Sequence, residues 1–211
     1  MTRTAALTVL LMLLSASILR SQSVSNPSDA LLDVLVWGTH MPIDPEAYDP
    51  ALKNELQQYL RRAMTYRPRG PVPPDGELRM SYDARIMYER RLAAVSDDPL
   101  ASELAADYVK AVRSCYEWEG FHDCPEREAQ FADDYQTAHP NGPFSSYLPL
   151  LAAHRWLCTA EAYEYEQRPA DAARSRRAYA ARLQFARRVK DLLFRTAAEQ
   201  LATRGRCFAA H

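Results

Sequence analysis

A chain of 211 residues, 47% of them hydrophobic, can bury one sizeable core and is short for two domains. Only 6 glycines are present, too few for an architecture of phosphate-cradling loops or β-turns, whereas alanine, leucine, arginine and glutamate dominate, as helices prefer. The formal net charge is −1, near neutral, and becomes −3 if the two basic residues Arg3 and Arg20 are removed with a leader.

Arg3 followed by the uncharged run Thr4–Leu19 has the form of a secretory signal peptide, assigned here to residues 1–23. Its apolar part is shorter than the ~20 residues a membrane span needs. Cleavage fits after Ser17 or after Ser23, and no cysteine follows the run to act as a lipoprotein attachment site. Residues 24–211 read as a single all-α domain of about six or seven helices, divided into N-terminal helices and proline-rich loops (24–80) and a helical core (81–211).

In chain order, Ser28 or Asp29 can cap a short helix, Ala30–Trp37, that ends at Gly38. Thr39–Pro50 carries three prolines and reads as extended loop. Ala51–Tyr66 is amphipathic, with Leu52, Leu56, Tyr59, Leu60 and Ala63 on one side. After a proline-rich linker, Arg67–Gly76, Ser81 caps a helix to Val95, and Asp97-Asp98-Pro99 starts another that runs to about Trp118. Cys124-Pro125 begins an acidic helix to about Ala138, and His139–Pro143 turns the chain into its longest element.

That element is a helical hairpin, Tyr147–Gln167 followed by Pro169–Arg204. Tyr147, Leu150, Leu151, Leu157, Cys158 and Tyr165 share one side of the first arm. Pro149 suits the first turn, and the residue before Pro169 is pushed out of helical geometry. In the second arm, Tyr179, Leu183, Ala186, Leu193, Ala197 and Leu201 form a stripe, widened by Phe185, Val189 and Leu192, and Gly205 is placed as its C-terminal stop. No internal repeat of fixed period is found.

Export makes the four cysteines, Cys115, Cys124, Cys158 and Cys207, an even set expected to be oxidised. Of the three pairings, Cys115–Cys124 would close a short loop, leaving Cys158–Cys207 to pin the tail onto the first arm of the hairpin. The charge is unevenly distributed. Ser96–Asp134 holds 11 acidic residues against 3 basic, and Arg168–Arg206 holds 11 basic against 3 acidic. Arg177, Arg188 and Arg195 fall on the side of the last helix opposite its stripe, a candidate face for anionic envelope material. The plainer expectation is that the basic helix faces the acidic ones. The basic face has no interleaved aromatics, which argues against nucleic acid as a partner.

Signatures of common catalysts are missing: there is no G-x-S-x-G, P-loop, H-E-x-x-H or C-x-x-C. One constellation stands out. His154 and Glu161 lie two turns apart inside the apolar stripe, with Cys158 between them, too far apart to touch but able to be bridged by a partner from another helix. Such a set suits a transition metal or a tuned acid–base pair. The structural alternative makes His154 a hydrogen-bonded core residue, Cys158 a disulfide partner and Glu161 the partner of an arginine on the second arm. A cleft of Trp37, His40, Tyr147 and His154, and a tyrosine surface of Tyr163, Tyr165 and Tyr179, are weaker candidates. His122 reads as an exposed loop residue and His139 as a helix end. No resident metal or cofactor is read from the sequence. The functional expectation is a non-enzymatic binding or scaffold module of the periplasm or cell exterior, meeting a partner that could be another envelope protein. The alternatives are a metal or catalytic site around His154 and Glu161, and envelope association through the basic C-terminal helix.

Overall fold

The computed structural model describes residues 27–38, 43–68, 77–96, 98–111 and 118–208. The regular elements among them are helices: α1 (Pro27–Trp37), α2 (Pro50–Thr65), α3 (Glu77–Val95), α4 (Leu100–Ala111), α5 (Asp123–Ala138), α6 (Leu148–Tyr165), α7 (Pro169–Ala186) and α8 (Leu192–Arg204), with a 3₁₀ turn at Pro45–Ala47. The expected signal peptide, His40, Cys115 and His211 lie outside the described residues. Among the described residues, no helix is long and apolar enough to cross a membrane.

Proline and aspartate set the starts of these helices. Prolines occupy the first turn of α2, α6 and α7, where a missing N–H costs nothing. Aspartate side chains accept from the orphan amides: Asp49 from Ala51 at 2.9 Å, Asp98 from Leu100 at 2.9 Å, and Asp191 from Phe194 at 3.2 Å. Two starts differ from expectation. α1 begins at Pro27 and α3 at Glu77, so Ser28, Asp29 and Ser81 sit inside helices rather than capping them. Trp118, where α4 was expected to end, lies outside any helix.

α6 is the axis of the fold, and it packs most extensively against α7 and α5. The sequence pattern showed one apolar side, but every residue from Leu148 to Ala160 is buried, including His154, Arg155 and Thr159. Alanines and small residues between the large ones let neighbours close on all faces, which is how a helix becomes central rather than amphipathic. Tyr165, assigned to the stripe, lies beyond this sheath and is 81% exposed.

The second arm of the hairpin is two helices, not one. α7 stops at Ala186, and the chain bends over Arg187–Lys190 before Asp191 caps α8. Glu55 of α2 reinforces the new start by accepting from the Leu193 amide at 2.8 Å. The bend lets α7 lie along α6 while α8 turns toward α1 and α2, burying Leu193, Ala197 and Leu201 there. A straight helix could not serve both surfaces. Phe185, expected to widen the stripe, falls just before the bend and is exposed.

The N-terminal helices complete the core. α1 is apolar on nearly every face, with Leu31, Leu32, Leu35 and Val36 fully buried. Its C-terminal carbonyls therefore need partners from protein rather than water. Gly38, in the left-handed region at φ +65°, returns its amide to Val34 at 3.1 Å, and the Tyr147 hydroxyl donates to Leu35 O at 3.0 Å. Val36 O accepts from Arg91 at 2.5 Å and from Arg155 at 2.9 Å.

Candidate functional site

The two guanidiniums that cap α1 belong to a buried charge cluster. Arg155 is 2% exposed; its Nε donates to Glu128 Oε2, and its guanidinium carbon lies 3.8 Å from the centre of the Trp37 ring. Glu128 is also the acceptor of the Tyr108 hydroxyl. Burial pushes the Glu128 carboxyl up, but the charges of Arg155 and Arg91, with hydrogen bonds from Tyr108 and Arg155, outweigh it and hold it below its ordinary range. A charge pair this deep survives because both partners are hydrogen-bonded as well as opposed in sign. Sequence reasoning missed it. Its trace was there, since Glu128 falls at helical spacing with the buried Cys124, Ala129 and Ala132 of α5.

His154 sits against this cluster, fully buried. Its Nε2 donates to the Cys207 carbonyl at 2.9 Å, which leaves Nδ1 to accept from Arg155 at 2.9 Å. Arg204 also donates to Cys207 O at 2.7 Å and to Asp33 at 2.8 Å. Desolvation, then the charges of Arg155 and Arg204, push the imidazole well below its ordinary pKa, so it is held neutral. Glu161 faces the same tail residue from one turn beyond Cys158 and accepts from the Cys207 amide at 3.0 Å. Desolvation raises its carboxyl, and no arginine of the second arm forms an ion pair with it; Arg176 forks onto Glu164 instead, at 2.8 and 3.0 Å.

Cys158 and Cys207 form the expected disulfide, with Cα atoms 4.8 Å apart across 49 residues. The group that bridges His154 and Glu161 is therefore the tail beyond Arg204, not another helix as expected. Histidine holds the Cys207 carbonyl, glutamate its amide, and Cys158 its sulfur. The other expected bridge, Cys115–Cys124, involves a residue outside the described ones, while Cys124 is buried at the start of α5. Donor atoms of His154, Cys158 and Cys207 all lie within 4.8 Å of one another, the spacing of a metal-ligand set. With the two sulfurs bonded to each other neither is a thiolate, and guanidinium groups stand near both ring nitrogens.

The remaining sequence candidates are dispersed. Tyr147 and His154 are fully buried, so with Trp37 they line no open cleft. Tyr163 is buried with its hydroxyl on Glu126, Tyr179 is half-buried and Tyr165 exposed. His122 is half-buried rather than exposed: it stacks on Tyr163 at 4.3 Å and hydrogen-bonds to Glu166 at 2.7 Å. His139 caps the end of α5, its amide returning to Tyr135 O at 2.8 Å. Arg177 lies on α7, Arg188 in the bend and Arg195 on α8, so they share no single helix face. Several of their neighbours answer the acidic helices: Arg182 pairs with Asp133 at 2.5 Å and Arg174 with Glu126 at 3.4 Å.

A different feature offers space. A groove of about 750 Å³ opens between α1, α2 and α3. Its apolar lining includes Val34, Ile43, Leu60, Ala63, Met64 and Met87, with Trp37 and Gly38 at the end of α1. Met64 and Met87, 78% and 53% exposed, extend the apolar lining of the groove to its rim. The sequence pattern marked Leu60 and Ala63 as part of the α2 stripe, but in the fold they are only half-buried and face the groove. The groove assembles from three helices, so no local motif announced it.

The chain matches no known protein family, no curated protein and no solved structure.

Proposed function

We propose that this protein is a non-enzymatic binding module, exported to the periplasm or cell exterior, whose groove between α1, α2 and α3 receives an apolar ligand. The observation that carries this reading is the 750 Å³ groove rimmed by exposed Met64 and Met87. Its volume falls within the ~300–1,000 Å³ of small-molecule sites, and methionine adapts its shape to varied apolar partners. The ionisable groups around His154 and Glu161 argue in the same direction, because their hydrogen bonds are directed at the chain's own tail and not at a space a substrate could enter. Export is supported by the Cys158–Cys207 bridge and by the form of residues 1–23.

The test is uptake of the neutral fluorescent probe N-phenyl-1-naphthylamine. Saturable, one-to-one binding that is abolished by Ala63→Trp, which fills the groove, is expected. No binding, or binding indifferent to Ala63→Trp, refutes the reading.

A second reading takes the His154, Cys158 and Cys207 donors as a metal site formed once the bridge is reduced. It predicts stoichiometric zinc retention by the reduced protein and none after His154→Gln.

A further inference from the structure

The groove has a charge pattern as well as a shape. Its described lining carries three guanidinium groups, Arg67, Arg90 and Arg91, and no carboxylate. Arg67 donates to the carbonyls of Met64, Thr65 and Tyr66 at the end of α2, and among the described residues it forms no ion pair. Arg91 is 6% exposed. Its Nη1 is used on Val36 O, but its Nε has no hydrogen-bond partner among the described residues. A buried donor left without an acceptor is costly, and native structures rarely keep one without a reason. Gly38 lies against Arg91 at this wall: a Cβ at position 38 would stand 3.0 Å from Arg91 Cδ and press the side chain to shift.

Cationic groups on one wall and methionine, leucine and alanine on another describe the two ends of an amphiphile. The cationic wall sets the sign of the head, and the C-terminal carbonyls of α1 and α2, which also end at the groove, weigh against more than a single negative charge. A singly charged head matched to a guanidinium is favoured over a dianionic phosphate, for which neither a helix N-terminus nor a glycine-rich cradle is present among the lining residues. We propose that the groove binds a single-chain amphiphile with a carboxylate head, the head held by Arg90 and Arg91 and the hydrocarbon tail by Leu60, Ala63, Met64 and Met87. This rests on the reading of the groove as a ligand site and adds its chemical class.

The experiment compares dodecanoate, dodecanol and dodecyltrimethylammonium, each below its aggregation limit, on the full exported chain, by calorimetry and by displacement of N-phenyl-1-naphthylamine. Dodecanoate is expected to bind one-to-one and at least about tenfold more tightly than dodecanol, as a charge-assisted pair gives. The cationic amphiphile should be weakest, and each methylene removed from the carboxylate should weaken it roughly fourfold. Arg91→Gln and Arg90→Gln should each erase the preference for carboxylate over alcohol while leaving dodecanol binding unchanged. If Arg91→Gln does not fold, Arg90→Gln decides. Equal affinity for dodecanol and dodecanoate overturns the ligand class and leaves the groove reading standing. Failure of both the neutral probe and dodecanoate overturns the two together. Binding to phosphatidylglycerol vesicles without binding of monomeric dodecanoate overturns the proposal in favour of surface association.

Discussion

His154 makes the fold sensitive to mild acid, and the size of the effect can be worked out. In the unfolded chain an imidazole takes up a proton near its ordinary value of 6.5, whereas in the fold burial and the charges of Arg155 and Arg204 keep it neutral well below that. Protons therefore favour the unfolded state as pH falls below 6.5. The contribution to stability is complete above that pH and is lost progressively toward the folded value. Between pH 7 and pH 5.5 the loss from this one residue is about 1.3 kcal/mol, because the unfolded imidazole goes from mostly neutral to about nine-tenths charged. For a domain of this size that corresponds to a fall of about 3–5 °C in Tm. Urea unfolding of the wild-type protein and of His154→Gln at both pH values isolates the effect. Glutamine can still donate to the Cys207 carbonyl but takes up no proton. Other groups cancel in the comparison, including Glu161, whose raised carboxyl has the opposite sign and stabilises as pH falls through its folded value. The variant is expected to start less stable but to lose about 1.3 kcal/mol less than wild type between the two pH values. Identical losses would mean that His154 takes up a proton in the folded protein as readily as in the unfolded chain, and the neutral, two-guanidinium account of it would be wrong.

Other consequences of the buried cluster and the tail clamp can be measured by the same unfolding assay. Glu128→Gln leaves Arg155 and Arg91 as uncompensated buried charges and should cost about 3–5 kcal/mol; an unchanged midpoint would show that the α1 carbonyl alone satisfies them. Removing the bridge with Cys158→Ala and Cys207→Ala should cost about 4 kcal/mol for a loop of 49 residues, and amide exchange at residues 205–208 should rise sharply. Asp191→Ala should cost about 1 kcal/mol by uncapping α8, and an unchanged midpoint would show that Glu55 alone holds that helix start. Gly38→Ala combines a φ of +65° with a near contact to Arg91 and should cost about 1–3 kcal/mol.

What could be read from the sequence was local and periodic. Prolines at 149 and 169, Gly38 after α1 and Gly205 after α8 act within a turn of themselves, so helix positions and the hairpin's first break followed from them. The Cys158–Cys207 pairing followed from the nearness of the other two cysteines in sequence. The second break was missed because Asp191 is compatible with a helix interior; only the packing of α8 on α1 and α2, with Glu55 arriving from elsewhere, makes it a cap. His154 and Glu161 were legible as anomalies in an apolar stripe. Their shared partner was not, because it lies 46 or more residues away in the tail. Arg91, Arg155 and Glu128 were invisible for the same reason, each being charged and therefore read as surface. Their burial is justified by one another, by the Tyr108 hydroxyl and by a carbonyl of α1, none of which the sequence connects to them.

The bridge between Cys158 and Cys207 also changes what cutting the chain means. It closes a covalent ring that contains the end of α6, all of α7 and all of α8, together with both bends between them. The second bend exposes Arg187 and Arg188, the kind of site a trypsin-like protease takes first. A cut there opens a ring rather than severing a chain. The fragment carrying α8 stays attached through sulfur, held at its far end by His154, Glu161 and Arg204 and at its near end by Glu55. A nicked molecule therefore runs as one species until it is reduced, and its two pieces part only when thiol is added.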